Sequence, residues 1–289
     1  MKIGKNSQKK NSNVLVVLWA LLAALFVYSQ MRFQIITFWP QANTDLAGFY
    51  AIRFSDGISH SPFINYELPA RGAVNPVEYP VITSLIVWLT SFVRIEAIDG
   101  KLVYFSVNCL LNTLVFAGII ASLSRYFGKR IAVLVLLAPA VPLSIFLNWD
   151  VWTIFPTILS LYCISKGCLK SGGVLLALAI SSKFFPVVLI LPKFIESVRQ
   201  KKFKELQIFL ASTIIAWISI NLPIFWKYPE GWLYFYKFSL RRQIGEGSLF
   251  NAICKLGICQ TTPMWIYYSL NIAIFVLLLF FLIRNPRPI

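Results

Sequence analysis

Charged residues are scarce in this sequence, and acidic residues are the scarcest. Only 13% of the 289 residues are charged, whereas 58% are hydrophobic. A soluble globular domain is usually about 25% charged and about 45–50% apolar. The chain therefore has too little polar surface for a soluble fold, and its apolar residues form long runs between short charged segments. This pattern predicts an all-α, polytopic transmembrane helical bundle.

Histidine and the motifs of soluble enzymes are also missing. His60 is the single histidine, and the sequence has no GxGxxG, Walker, HExxH or CxxC motif. Metal sites built on several histidines and histidine-based charge relays are therefore poor candidates. We expect neither a metal nor a cofactor, and we interpret His60 as a loop residue.

The five cysteines are weak evidence for or against a disulfide. Cys109, Cys163 and Cys168 fall in or beside apolar runs, which predicts buried and inert thiols. Cys254 and Cys259 lie in a loop, where they form a disulfide if the loop faces an oxidising compartment and stay free thiols otherwise.

The net charge of +16 comes from 27 Lys and Arg residues against 11 Asp and Glu residues. In a soluble protein this balance would indicate nucleic-acid binding. In a membrane protein, basic residues collect in cytoplasmic loops. Because no soluble segment is long enough to form a basic domain, the charge favours membrane topology and argues against a nucleic-acid partner.

A basic N-terminus precedes the first apolar run, at 14–28, which we interpret as an uncleaved span with the N-terminus inside. A mixed polar stretch follows, and long ordered loops are usually functional. Segment 80–93 is ambiguous because its 14 apolar residues are too few to span comfortably. Further apolar runs occupy 102–123, 131–147, 151–165, 172–182, 184–197, 206–223 and 263–283.

The positive-inside rule resolves the ambiguity of segment 80–93. If this segment lies at the membrane surface, the chain has eight spans, both termini are cytoplasmic and four basic clusters fall inside. If it spans, all four clusters move outside. The first arrangement predicts one transmembrane domain over 1–289 in the cell membrane, with outer loops at 32–101 and 224–262. The clusters are Arg125/Lys129/Arg130, Lys166/Lys170, Arg199/Lys201/Lys202/Lys204 and Arg284/Arg287.

The acidic residues concentrate on the predicted outer face. In this topology nine of the eleven lie outside, and only Glu196 and Glu205 lie inside. Acidic residues do not set topology, so their distribution is a separate observation. The outer nine are Asp45, Asp56, Glu67, Glu78, Glu96, Asp99, Asp150, Glu230 and Glu246.

The outer face also carries cations, which together with carboxylates suit a reaction between a hydroxyl group and a phosphate-bearing substrate. Lys183 falls at the tip of a predicted hairpin made by 172–182 and 184–197, where a lysine inside a membrane is a functional candidate. The full candidate set is Asp45, Glu78, Tyr79, Asn148, Asp150, Lys183, Arg241 and Arg242.

Each candidate also has a structural interpretation. Asp45 could be the N-cap of a helix over LAGFYAIRF, and Asn148 and Asp150 could cap the following span. Glu78 could position the surface segment, and Lys183 could snorkel to the interface. The arginines at 241 and 242 could contact lipid headgroups.

Three stretches of the sequence resemble a known family. They are VEYPVITSLIVWLT (77–90), NWDVWTIFPTILSLYCISKGCLKSGGVLLALAISSKFFPVVLILP (148–192) and NLPIFWKYPEGWLYFYKFSLRRQIGEGSLFNAI (221–253). Their order and spacing are similar to the GT-C membrane glycosyltransferases, specifically the polyprenyl-phosphate-mannose-dependent mannosyltransferases of glycosyltransferase family 87 and their actinobacterial relatives. Relatives are commonly longer, so the chain corresponds to a short member, a fragment or part of a pair.

The resemblance implies a function. Such enzymes carry a catalytic acid shortly after the first span and interfacial helices in the first outer loop, the second often opening with an aromatic-Pro element. Asp45 and Tyr79-Pro80 match these positions. The implied activity is an inverting transfer of a sugar, usually mannose, from a polyprenyl phosphate to a lipid or glycan acceptor, with Lys183 and Arg241 or Arg242 holding the phosphate.

Two other functions stay open. A membrane transporter would explain the spans and the intramembrane charge, although the halves show no internal repeat and the charges collect at one face. A non-catalytic scaffold of a cell-envelope complex is the third possibility.

Overall fold

A computed structural model describes residues 3–38, 44–69 and 72–241, together with the isolated helical residues Ser269 and Ala273. This part of the chain is mostly helical, which confirms the all-α prediction. The helices are α1 (Ile3–Phe38), α2 (Asp45–Arg53), α3 (Val81–Thr90), α4 (Gly100–Ser122), α5 (Lys129–Leu137), α6 (Ala140–Ser144), α7 (Val151–Ser165), α8 (Leu169–Ser182), α9 (Ile190–Arg199), α10 (Phe203–Lys227) and α11 (Pro229–Arg241).

Three of these helical segments are long and apolar enough to cross a membrane. They are Val14–Phe38, Gly100–Phe127 and Phe203–Lys227, the second including a π-helical turn at Leu123–Phe127. They carry large apolar side chains on their outer surfaces, such as Trp19 and Ile215, as expected of helices that face lipid. These segments indicate a membrane protein. The predicted total of eight spans stays a prediction, and the run 263–283 falls largely outside the described residues, as do Cys254 and Cys259.

The first predicted outer loop contains two short helices. α1 continues to Phe38, seven residues into the predicted loop 32–101, and α2 and α3 follow with a small antiparallel hairpin between them. The hairpin pairs Tyr66–Leu68 with Gly72–Val74. α3 has ten residues and rises about 15 Å, roughly half the thickness of a hydrocarbon core. Its length agrees with the prediction that 80–93 does not span.

Two predicted spans are interrupted. The run 131–147 is divided between α5 and α6 because Ala138, which precedes Pro139, adopts an extended conformation that ends the helix. The run 184–197 begins with a 3₁₀ turn at Phe185–Leu189, which contains Pro186, before α9 starts. Prolines therefore break continuity that the apolar composition alone does not reveal.

α7 and α8 form an antiparallel pair because only 166–168 connect them. The Ser160 hydroxyl donates to the Gly172 carbonyl at 2.7 Å, which ties the two helices together. On its other side α8 packs against α10 through Gly173, where an added Cβ would collide with the Phe209 carbonyl oxygen and the Ser212 hydroxyl. The close approach of three helices fixes where α7 begins and α8 ends.

We expect Gly173→Ala to destabilise the protein by about 1–3 kcal/mol, because the new methyl group has no space against the α10 backbone. The measurement is the midpoint of thermal unfolding in detergent. Gly48→Ala is the matched control, since a Cβ at Gly48 meets nothing within 4 Å. Equal midpoints for both variants would contradict the α8–α10 contact.

α2 lies on α4 next to α1. Tyr50 of α2 and Phe54, which caps its C-terminal end, pack on the Tyr104 ring of α4, with ring centroids 5.6 and 5.9 Å away. Tyr28 of α1 shares a 3.0 Å hydrogen bond with Ser106 of α4. The core between these helices is therefore continuous with the start of the predicted first outer loop.

The cysteine prediction is confirmed only in part. Cys109 is buried in α4, but Cys163 is half-buried and Cys168 is exposed. Cys168 lies at the N-cap position of α8, outside the apolar run. Its position in the turn after α7 explains its exposure.

Candidate active site

The start of α2 is anchored to the segment before α7. Thr44, not Asp45, is the N-cap: its hydroxyl oxygen accepts from the Leu46 N–H at 3.2 Å. The same hydroxyl donates to the Phe146 carbonyl at 2.6 Å, and the Asp45 N–H donates to the Leu147 carbonyl at 2.8 Å. The interpretation of Asp45 as a capping residue is therefore wrong, and its carboxylate is available to other partners.

The Asp45 carboxylate is joined to Tyr79. The Tyr79 hydroxyl donates to Asp45 Oδ2 at 3.1 Å, while the tyrosine ring packs against Phe49 and Trp149. Burial raises the pKa of the Tyr79 phenol, and the Asp45 carboxylate raises it further. Tyr79 therefore stays protonated and orients the exposed carboxylate of Asp45 as a hydrogen-bond donor.

Lys183 meets Asp150 at the same place. The residue follows the last turn of α8 with an extended backbone, and its Nζ forms an ion pair with Asp150 Oδ1. The Lys183 Nζ also lies 6.0 Å from the centre of the Tyr79 ring. We name Asp45, Tyr79, Asp150 and Lys183 the Asp45 cluster. It joins two carboxylates, a phenol and a cation from four separate places in the chain.

Asn148 and Asp150 have different roles. Asn148 Oδ1 accepts from the Asp150 N–H at 2.9 Å, which shapes the turn before α7. Asp150 occupies the N-cap position of α7 but makes no side-chain capping hydrogen bond. Its carboxylate instead pairs with Lys183. The prediction that the side chains of Asn148 and Asp150 cap α7 is therefore wrong: Asn148 bonds within the preceding turn and Asp150 bonds to Lys183.

The structure describes only one of the two candidate arginines in the predicted outer loop 224–262. Arg241 is exposed at the end of α11 and takes no part in the contacts that join the Asp45 cluster. Arg242 lies outside the described residues. Glu78 is half-buried and lines a cavity with Arg53, beside the cluster rather than in it.

A buried amide network supports the cluster, and sequence reasoning missed it. Asn108 of α4 accepts from the Trp149 indole N–H at 2.7 Å and donates to the Thr90 hydroxyl at 3.1 Å. One turn further along α4, Asn112 donates to the carbonyl of Asn148 at 3.0 Å. The sequence does contain a signal for this network. Asn108 and Asn112 lie four residues apart in an apolar helix, and buried amides need hydrogen-bond partners.

We expect Asn108→Leu to destabilise the protein by about 1–3 kcal/mol, because it strands the buried indole N–H of Trp149. Adding Trp149→Phe removes the stranded donor, so the double variant should be less destabilised than the sum of the single variants. Thermal unfolding in detergent measures both. Strict additivity would mean that the two side chains do not interact.

Arg53 is the second residue that sequence reasoning missed. It lies at the end of α2, is 4% exposed and donates from Nη1 to the Asn75 carbonyl. Its guanidinium lies 5.4 Å from the centre of the Tyr66 ring. Burial lowers the pKa of Arg53, opposed by Tyr66 and Glu78. Helical spacing from Leu46 and Phe49, which are buried on α2, was the signal for its burial.

His60 contacts only its own loop among the described residues. Its Nε2 lies 2.7 Å from Asp56 Oδ2, and its ring stacks on Tyr66 at 4.0 Å. Asp56 Oδ1 accepts from the Ile58 N–H at 2.9 Å, as predicted for a turn residue. Within the described residues, no group of three His, Cys, Asp or Glu side chains is arranged to hold a metal ion.

Comparison with known proteins gives no relative: no family model, no curated protein and no solved structure matches the chain. The resemblance to glycosyltransferase family 87 therefore depends on the three sequence stretches alone. The chemistry of the Asp45 cluster has to be argued from its own geometry.

Proposed function

We propose that the protein is an inverting glycosyltransferase that moves a sugar, mannose by family resemblance, from a polyprenyl phosphate to a lipid or glycan hydroxyl. The observation that carries the proposal is the Asp45 cluster. It combines an exposed carboxylate, oriented by a phenol, with a lysine whose Nζ lies beside that phenol. This is a base next to a cation, the pair that such a transfer needs.

In the proposed reaction, Asp45 accepts the proton of the acceptor hydroxyl. The oxygen forms a bond to the anomeric carbon as the bond from that carbon to the phosphate oxygen breaks. Polyprenyl phosphate leaves with the electron pair, and Lys183 stabilises its charge, assisted by Arg241 or Arg242. A single displacement inverts the anomeric centre and needs no second nucleophilic carboxylate.

The ion pair between Lys183 and Asp150 is compatible with phosphate binding by Lys183. In the absence of substrate, Asp150 neutralises a lysine that would be costly to leave unpaired near the membrane. A phosphate monoester provides more acceptor oxygens and more charge than one carboxylate, so it can compete for the ammonium group. Asp150 is therefore proposed to hold Lys183 in place before the donor binds.

The enzyme faces the non-cytoplasmic side in this proposal. The first outer loop supplies Asp45 and Tyr79, the turn before α7 supplies Asp150, and the end of α8 supplies Lys183. The charge distribution of the sequence supports this side, because the basic clusters favour the opposite one. Both termini are then cytoplasmic.

The test is a transfer assay with purified protein in liposomes. Radiolabelled mannosyl polyprenyl phosphate and a cell-envelope lipid extract are the substrates, and GDP-mannose replaces the lipid donor in a parallel reaction. We expect labelled product only from the lipid-phosphate donor, and much slower product formation by the Asp45→Asn variant. Uptake of labelled donor or free sugar without any product would overturn the proposal in favour of a transporter.

A further inference from the structure

Arg53 is a buried cation that the Asp45 cluster does not use. Its side chain is 4% exposed, and Nη1 donates to the Asn75 carbonyl. Among the described residues, neither Nε nor Nη2 has a hydrogen-bond partner. A buried charged group with unsatisfied donors is costly and needs an explanation. The first place to look for one is the cavity beside it.

Arg53 lines a cavity of about 410 Å³ between the end of α2, the hairpin strand that ends at Val74 and the face of α11. This volume is within the range of about 300–1,000 Å³ that is usual for small-molecule sites. The polar lining consists of Arg53, Glu78, Asn75 and Tyr234. These residue types offer donors, acceptors and an aromatic ring in one cavity.

The charge in this cavity is balanced. Burial raises the pKa of the Tyr234 phenol, the Glu78 carboxylate adds to the rise and the Arg53 guanidinium opposes it. Tyr234 therefore lies in the fields of both charged groups. An anion would be attracted by Arg53 and repelled by Glu78, whereas a neutral polyol can donate to the carboxylate and accept from the guanidinium.

The cavity is next to the Asp45 cluster in two ways. Glu78 lines the cavity, while Tyr79, the following residue, donates to Asp45. α2 has Asp45 as its first residue and Arg53 as its last, and nine helical residues rise about 13 Å. A group bound in the cavity therefore lies about one sugar unit or two from the carboxylate.

We propose that this cavity binds a neutral hexopyranose, and that it holds the sugar of the acceptor during transfer. The second part rests on the proposed function; the binding itself does not. The acceptor is then a glycan or a glycolipid with a sugar headgroup, and Arg53, Glu78 and Tyr234 determine its specificity. The polar groups orient this sugar, and the reacting hydroxyl belongs to the neighbouring unit of the acceptor, which extends toward Asp45.

Saturation-transfer difference NMR tests the binding with the full chain in lauryldimethylamine oxide, a detergent without sugar. The probe is methyl α-D-mannopyranoside, with inorganic phosphate as competitor. We expect transfer to the ring protons for wild type, and at least a tenfold weaker affinity for Glu78→Gln and Tyr234→Leu. Tyr126→Leu is the matched control because Tyr126 is a half-buried tyrosine that stacks on Tyr162, outside the cavity.

Three outcomes separate the hypotheses. Glycoside binding that is unchanged in Glu78→Gln and Tyr234→Leu, or equally weakened in Tyr126→Leu, would overturn the cavity assignment. Displacement of the glycoside by millimolar phosphate would show that the cavity prefers an anion and would overturn the assignment of a neutral ligand. Asp45→Asn should bind the glycoside like wild type, because Asp45 is outside the cavity. If wild type binds the glycoside but does not transfer sugar, the proposed function is contradicted and the cavity assignment stands. If wild type transfers sugar but does not bind the glycoside, only the cavity assignment is contradicted.

Discussion

The Asp45→Asn variant should transfer sugar about 10²–10⁴-fold more slowly than wild type, the range expected for loss of a general base. Asparagine has the same shape as aspartate and still accepts the hydrogen bond from Tyr79. It does not accept a proton from the acceptor hydroxyl. The loss should therefore appear in the rate constant of the chemical step, measured in single-turnover assays with labelled lipid donor.

Two controls make this prediction specific. Asp56→Asn changes an acid of the same loop that bonds to His60 and the Ile58 N–H, so it should keep near wild-type activity. Tyr79→Phe removes the hydroxyl that orients Asp45 and should reduce kcat by less than Asp45→Asn. A folded Asp45→Asn protein with full activity would exclude Asp45 as the base.

The sequence predictions for 80–93 and 131–147 had different physical bases. The prediction that 80–93 does not span used only the positions of lysines and arginines; the ten-residue length of α3, which ends at Thr90, is compatible with it, and the topology stays a prediction. The division of 131–147 followed from Pro139, whose effect on the preceding residue acts against a strong apolar signal. Local backbone chemistry decided the boundary in the second case.

Residue types predicted the members of the Asp45 cluster, but not their pairing. Lys183 and Asp150 are 33 positions apart, and they meet because α7 and α8 are antiparallel, so that the start of one lies beside the end of the other. Gly172 faces α7 and Gly173 faces α10, and a sequence pattern does not show which helix faces which glycine. Tertiary packing therefore supplies the information that the sequence lacks.

The burial of Arg53, in contrast, could be predicted from the sequence. Arginine in a polar loop is usually solvated, so residue type alone does not predict its burial. The helical spacing of α2 places it on the face that carries Leu46 and Phe49, and the side chain is buried there. Applying helical periodicity to the nine residues after Thr44 would have identified a buried cation near the predicted catalytic acid.

Removal of the Lys183 charge is expected to have the second large effect. Lys183→Met should lower kcat by about 10²–10³-fold, the usual effect of losing one group that stabilises developing negative charge. Asp150→Asn keeps the cation and should have a smaller effect, mainly as a higher KM, because Lys183 is then less well positioned. Both variants use the same labelled lipid-donor assay.

The double variant Lys183→Met/Asp150→Asn separates a catalytic from a structural role of Lys183. If Lys183 serves only to neutralise Asp150, removal of both charges relieves the unpaired carboxylate and restores activity and thermal stability together. If Lys183 stabilises the leaving phosphate, the double variant regains stability but stays as slow as Lys183→Met. We expect the second result, because the Lys183 Nζ lies 6.0 Å from the ring centre of Tyr79, whose hydroxyl donates to Asp45. Recovery of activity in the double variant would reduce Lys183 to a structural partner of Asp150.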